Sequence, residues 1–374
     1  MPTVCLDCRY INGSPSGIGE MVQALVDHLP QLAPDLQFLF LRHPAKFGSL
    51  SNAANVTERV VPWATNGPAS MWFLPYLADL SDIDLFHAPS NILPMGLGMP
   101  CITTVHDVMW LTDPELCNPK PWGLAEKAFY CHGMRHAMAR STIILTVSEA
   151  TRTALIDLEP ALAARCRAVL PGVSERFVRR ATDPAEIDRI GVSRPRYVLT
   201  VGQNAPYKNH MRVLEAFASA FSSDQSIGLV LVQRQGASTS RLQKLATQLG
   251  IADRVDFLAP VDEDTLVTLY NGATALLHPS LCEGFGMPIA EAMACGCPVI
   301  TSNRSAMPEV AAGAALLVDP EDTASIASAL RRIASDPALA SGLVERGIAR
   351  ARMLDWRNFA AANLDAYRTV LEPD

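Results

Sequence analysis

Residues 278–301, HPSLCEGFGMPIAEAMACGCPVIT, gather the side chains best suited to chemistry. Glu283 and Glu291 stand eight positions apart, with Gly284, Phe285, Gly286 and Pro288 between them. A strand-like run, Ala275–Leu277, leads in, and Pro288 is favoured in the first turn of a helix, which puts Glu283 on a loop and Glu291 on the helix after it. The unpaired N–H groups and positive dipole end of such a helix suit a phosphate or pyrophosphate, and the glycines let backbone approach it closely. Carboxylates beside an anion site do not bind the anion. They accept hydrogen bonds from hydroxyls on either side of it, as in a sugar joined through pyrophosphate to a ribose. Two more residues follow strands: Lys208, near a helix start where lysine is unfavourable unless an anion is close, and His106, just beyond Cys101–Val105.

Periodicity supplies the elements that must position these residues. Thr3–Asp7, Leu36–Leu41, Leu85–His87, Cys101–Val105, Ile143–Val147 and Ala168–Leu170 read as strands in the first half. Helical patterns cover Gly19–Leu29, Trp122–Ala139 and Glu149–Leu158. In the second half Tyr197–Val201, Gly228–Val232, Val255–Leu258, Ala275–Leu277, Val299–Thr301 and Ala315–Val318 are strand-like. Helices are predicted at Asn209–Phe221, Ser240–Leu249, Glu263–Asn271, Pro288–Ala294 and Thr323–Ser335. This is an α/β pattern of parallel sheets, run through twice: two doubly wound, Rossmann-like domains facing each other across a cleft. Residues 1–175 form the first domain and 196–355 the second. The polar stretch Gly172–Arg196, with Pro184 and Pro195, reads as the linker, and a helix over about 356–374 is expected to return to the first domain.

A length of 374 residues fits two domains, and 49% hydrophobic with 18% charged residues is ordinary for a globular chain. A formal net charge of −7 argues against a bulk electrostatic nucleic-acid binder. No stretch is apolar enough for a membrane span, and MPTVCLD lacks a signal-peptide layout, so the expected compartment is the cytoplasm. Nine scattered cysteines make a poor disulfide framework.

The segment EGFGMPIAEAMACGCPVI resembles the signature of the family 4 retaining glycosyltransferases, which have the GT-B fold and two glutamates separated by seven residues. SGIGEMVQAL, TVHDVMWLTDPE, ILTVSEATRTAL, VLPGVSERF and VGQNAPYKNHMRVLEAF extend the resemblance over nearly the whole chain. It implies transfer of a hexose from a nucleoside diphosphate sugar without cofactor or metal, mannose from GDP-mannose being the first choice of donor. The acceptor would be a saccharide or lipid-linked saccharide in bacterial polysaccharide assembly. By position, Glu283 would hold hexose hydroxyls, the backbone of Gly284, Phe285 and Gly286 the diphosphate, and Glu291 the ribose. Lys208 would neutralise the departing diphosphate, with Gly202 beside it, and the strand and loop Val255–Val261 would flank the base. Gly17 and Gly19 would form a loop facing the diphosphate and acceptor, and His106 would sit by the reacting sugar. Where many members carry an arginine after the strand glycine, this chain has Gln203, which implies more neutral donors around the phosphates. Replacing Lys208 by Ala is expected to cost turnover far more than fold stability.

Plainer readings compete at several positions. Glu283, Glu291 and Lys208 could be ordinary charges near helix starts, and His106 could simply be held in its loop by Asp107. NGSPSGIG lacks the third glycine of a dinucleotide fingerprint, because Val22 stands there, which counts against an NAD-dependent oxidoreductase. A protein that binds a sugar nucleotide without transferring the sugar is not excluded. Asp82 and Asp84, Asp262 to Asp264, and Ser148 are read as caps. The Cys5/Cys8 and Cys295/Cys297 pairs are read as buried packing. The apolar run around Met71, Trp72 and Phe73 is read as a core helix, with weak peripheral membrane contact as its alternative. Residues 1–175 carry 11 Lys and Arg against 16 Asp and Glu, so attraction to anionic lipid would have to be local.

Overall fold

The computed structural model describes residues 1–12, 16–118 and 123–372. It divides into two compact units, one formed by residues 1–114, the stretch up to Gly172 and the chain's last segment, the other mainly by Val173–Leu354. Trp122, where a helix start was expected, lies outside the described residues, as do residues 373–374 of the expected final helix.

The first unit holds a seven-stranded, wholly parallel sheet of β1 (Thr3–Asp7), β2 (Gln37–Arg42), β3 (Val56–Val60), β4 (Leu85–Ala88), β5 (Cys101–Val105), β6 (Ile143–Thr146) and β7 (Cys166–Ala168). Their order is β3-β2-β1-β4-β5-β6-β7. The central runs LFHA, CITTV and IILT are buried throughout, which is why they read as short apolar strands. β3, VTERV, was not foreseen: it is an edge strand whose charged, half-exposed residues hide the strand signal. β7 lies two residues before the predicted run, paired with β6 through Ile144 and Cys166. The final helix, Trp356–Leu371, belongs to this unit, its Tyr367 hydroxyl 2.6 Å from Nδ1 of the buried His87.

The second unit holds a six-stranded parallel sheet of β8 (Arg196–Val201), β9 (Ile227–Val232), β10 (Val255–Leu258), β11 (Ala275–His278), β12 (Val299–Ser302) and β13 (Ala315–Val318), in the order β10-β9-β8-β11-β12-β13. Val213, Leu214 and Phe217 of the helix His210–Ala220 and Ile326 and Leu330 of Thr323–Ser335 pack on Leu229, Leu231 and Leu277 to make its core. Side-chain caps begin several helices: Asp262 accepts from Thr265 N, Asp322 from Ala324 N and Asp336 from Leu339 N. Residues 173–195, read as an irregular linker, are grouped with this unit and include the helix Pro184–Ile190, which Asp183 caps and Gly191 ends in the left-handed region.

Both sheets reverse their strand order once, between β1 and β4 and between β8 and β11. At such a point the chain leaves neighbouring strands toward opposite sides, opening a crevice beyond their carboxyl ends. The loops after β8 and β11 therefore emerge side by side, and they carry Lys208 and Glu283.

Candidate active site

β8 runs into Gly202, at φ 146°, where a Cβ would come within 3.1 Å of Lys208 Cε. Glycine here lets the lysine stem lie against the backbone. The chain then makes a short turn, Pro206–Lys208, and enters the helix His210–Ala220 through Asn209 in the left-handed conformation that asparagine tolerates, φ 61°. The Asn209 amide donates to Pro279 O (3.1 Å) and Pro320 O (2.7 Å), tying together the loops after β8, β11 and β13. A second tie, Leu281 N to Tyr207 O at 2.7 Å, fixes the β8 and β11 loops in register.

These ties deliver Lys208 Nζ to 2.7 Å from Glu283 Oε1, with both side chains about nine-tenths buried. The same oxygen accepts from His278 Nε2 (3.0 Å) and from Ser280 Oγ (2.7 Å). A carboxylate only accepts, so the Glu283 contact places the His278 proton on Nε2. Ser305 holds the Glu283 backbone from both sides, its hydroxyl donating to the carbonyl at 2.6 Å and accepting from the N–H at 3.3 Å. Burial by itself would raise the Glu283 carboxyl, but Lys208 and His278 overcome it and bring the pKa down to about 2. Burial and the neighbouring Lys208 charge lower His278, which keeps it neutral.

After Glu283 the chain passes Gly284 and the buried Phe285 to Gly286, at φ 101°, which leads into the helix Met287–Ala294. Gly286 has no side chain to cap this N-terminus, so the loop presents a helix dipole end beside Lys208 and Glu283. Glu291, one turn further, is buried, and its Oε2 accepts from the Tyr270 hydroxyl at 2.7 Å. Burial and then Glu291 push the Tyr270 phenol well above its ordinary range, so it stays a donor.

Lys208, Gly202, Glu283, Gly284, Phe285, Gly286 and Glu291 thus gather at one switch point, on the segments that follow β8 and β11. Gln203 is exposed, and Val261 is half-buried in the loop after the edge strand β10. His106 belongs to the first unit, after β5: its N–H donates to Asn91 Oδ1 (2.7 Å), and Nε2 donates to Pro89 O (2.9 Å). Burial lowers its pKa, so the ring is neutral with Nδ1 left as an acceptor. Asp107 does hold the next turn, accepting from Met109 N.

Two expectations change. Gly17 and Gly19 are not in a loop: they form the first turn of the helix Gly17–Leu32, capped by Ser16, and a Cβ on Gly19 would meet Ser16 Oγ at 2.9 Å and Tyr10 O at 3.1 Å. Asp84, read as a cap at a strand entrance, keeps that role: it accepts from Thr3 N and so ties the start of β1 to β4. Lys208 is no solvated lysine whose loss the fold would scarcely register, because it is half of a buried ion pair. His278, Ser280, Tyr270 and Ser305 were not assigned. His278 and Ser280 stand inside the segment that opened the reading, whereas Tyr270 and Ser305 reach the site only through tertiary packing. Among the described residues no His, Cys, Asp and Glu side chains are grouped as a metal would require.

Two Rossmann-like units, with a lysine, a carboxylate and a helix N-terminus at the switch point of the second, define a GT-B glycosyltransferase. Residues 185–350 match the model of the glycosyl transferases group 1, and residues 15–177 that of glycosyltransferase family 4. The chain belongs to this family. It is 30% identical over 300 residues to the O-antigen chain mannosyltransferase B of Escherichia coli, covering 79% of this chain and 76% of that one. It is also 30% identical over 285 residues to the D-inositol 3-phosphate glycosyltransferase of Acidothermus cellulolyticus, covering 73% of this chain and 63% of that one. In fold it is similar to Anabaena HepE, solved in complex with UDP and glucose, with a TM-score of 0.72 at 18% identity over 99% of this chain and 100% of that one.

Proposed function

We propose that this glycosyltransferase is a retaining, metal-independent hexosyltransferase that moves a hexose from a nucleoside diphosphate sugar to a saccharide or lipid-linked saccharide. GDP-mannose is the donor of choice, its mannosyl part supported by the mannosyltransferase relative. One observation carries the proposal: Lys208 is locked on Glu283 beside the uncapped N-terminus of Met287–Ala294. The ammonium keeps further N–H donors for an anion, and they act where charge grows as the diphosphate departs. Glu283, ionised across the neutral range, accepts hydroxyls of the hexose, and Glu291, steadied by Tyr270, accepts those of the ribose. The departing phosphate takes the proton of the incoming hydroxyl on the face it leaves, which yields retention without a side-chain nucleophile. His106 of the first unit, neutral with Nδ1 as an acceptor, is the candidate there for contacting a hydroxyl.

A thermal-shift panel of GDP, UDP and ADP with their sugars tests the donor, since a ligand stabilises the folded state according to its affinity. Hexose release from the donor, and the anomeric configuration of the product by NMR in the presence of a chelator, test the chemistry. A shift with a UDP-sugar and none with GDP-mannose replaces the donor. An inverted product removes the retaining mechanism, and the absence of turnover with every donor favours a binding protein.

A further inference from the structure

Buried polar groups in folded proteins are nearly always paired, so an orphan calls for a ligand or another explanation. Among the described residues, Asn204 Nδ2, His210 Nε2 and Gln233 Nε2 are buried without a partner, and all three belong to the segments that leave β8 and β9. Gln233 and His210 are 2 and 4% exposed. The parallel register sets Val201 beside Val232, and Gly202 N donates to Val232 O at 3.1 Å. Gln233 therefore lies next to the Gly202 backbone on which the Lys208 stem rests. Asn204 follows Gly202 by two residues, and His210 opens the helix that Lys208 leads into.

The Gln233 amide is oriented. His210 Nδ1 lies 3.1 Å from Gln233 Oε1, an atom that only accepts, so the imidazole proton is on Nδ1 and Nε2 keeps a lone pair. The amide nitrogen is turned away from the ring with its N–H bonds uncommitted. Burial and then the Lys208 charge hold His210 neutral, so it places the amide without adding charge. A buried, unpaired N–H is unfavourable until an acceptor reaches it. The acceptor that this corner is built beside is the anion. Lys208 is a single ammonium already engaged at 2.7 Å by Glu283, whereas a diphosphate spreads its charge over several oxygens. We propose that Gln233, oriented by His210, and Asn204 donate N–H bonds to the diphosphate of the sugar nucleotide, completing with neutral groups what one ammonium begins. Gln233 and Asn204 are binding residues, and His210 is a positioning residue. The inference rests on reading the site as one for a nucleoside diphosphate sugar.

Calorimetry of the full chain with GDP, UDP and ADP is the test. Q233M and N204A are each expected to bind the nucleotide that the parent binds about tenfold more weakly, and to raise donor KM with kcat within about threefold. Inorganic pyrophosphate, which has no base, should weaken as a competitor by the same factor. H210F should match Q233M, while H210N should recover affinity because its amide N–H stands where Nδ1–H stood. H210F/Q233M should bind no more weakly than Q233M, since His210 acts through Gln233. Replacing both members by apolar side chains leaves no polar group behind, so this double variant should melt close to the parent. N204A, at a half-buried loop position, serves if the pair variants unfold. Folded variants that bind nucleotide as the parent does overturn the inference and leave the donor site in place. A loss for nucleotides with none for pyrophosphate overturns it as well, because the amides would then read the nucleoside. If H210F weakens Q233M further, the orienting role falls. A parent chain that binds none of the three nucleotides overturns the donor-site reading and the inference with it.

Discussion

Replacing Lys208 by Met removes the ammonium and keeps most of the stem that lies on Gly202. Holding the Glu283 carboxyl at about 2 rather than 4.5 corresponds to about 3 kcal/mol of stability at neutral pH. Breaking a buried pair costs about 3–5 kcal/mol, and residual exposure together with the His278 and Ser280 hydrogen bonds lowers this to about 2–4 kcal/mol here. For a unit of this size that predicts a fall in melting temperature of roughly 5–15 °C at pH 7. The sign of the pH dependence follows from the lowered carboxyl. Its stabilisation is present above 4.5 and lost as the pH falls toward 2, so the gap between the parent chain and Lys208→Met must narrow over that window. Turnover should fall by about 10²-fold or more, because the lost cation acts on charge that develops in the transition state. Thermal melting from pH 3 to 7, with donor hydrolysis at a temperature where both proteins are folded, measures the two effects separately. Adding Glu283→Gln should recover part of the melting temperature and none of the turnover. A Lys208→Met protein that melts like the parent at pH 7 would refute the energetic argument. A double variant that regains turnover would refute the catalytic one.

Gly202→Ala places a Cβ at φ 146° within 3.1 Å of Lys208 Cε, so it should displace the lysine and lower kcat more than it raises donor KM; unchanged kcat would show that the lysine adapts. Tyr270→Phe removes a hydrogen bond to Glu291, and calorimetry should find nucleoside diphosphate affinity weakened about tenfold with kcat within about threefold. His210 is held near 4 by burial and then by Lys208, and His87 near 3 mainly by burial, so both fold neutral. The unfolded chain takes up those protons below about 6.5, and stability must fall as the pH drops from there toward each folded value. Melting of His210→Gln across pH 4 to 7 should show a flatter acid limb, and an unaltered slope would count against the assignment.

Much of this was legible along the chain. The buried strands are mostly apolar, with His87, Thr103 and Thr104 among the few polar residues inside them, and the residues after β8 and β11 suggested an anion site because glycine, proline and lysine each stand where a strand hands over to a helix. β3 was hidden because an edge strand needs no apolar pattern. Residues 173–195 looked like linker because their polar, proline-bearing composition is shared by loops and by short capped helices. Gly17 and Gly19 looked like a loop because a glycine pair does not show which residue caps the helix behind it.

Composition and spacing therefore determined the α/β class, the two parallel sheets and the placing of Glu283 on a loop and Glu291 on the helix after it, since these depend on residue order around a strand end, while grouping Lys208 with them rested on the family resemblance. Only tertiary structure decided how the site is held. The clamp of Asn209 on Pro279 and Pro320, the Tyr270 hydroxyl on Glu291 and the Ser305 hydroxyl on the Glu283 backbone join residues 21 to 111 positions apart. Their geometry comes from how the helices and loops pack around the sheet, and that packing made Lys208 half of a buried ion pair.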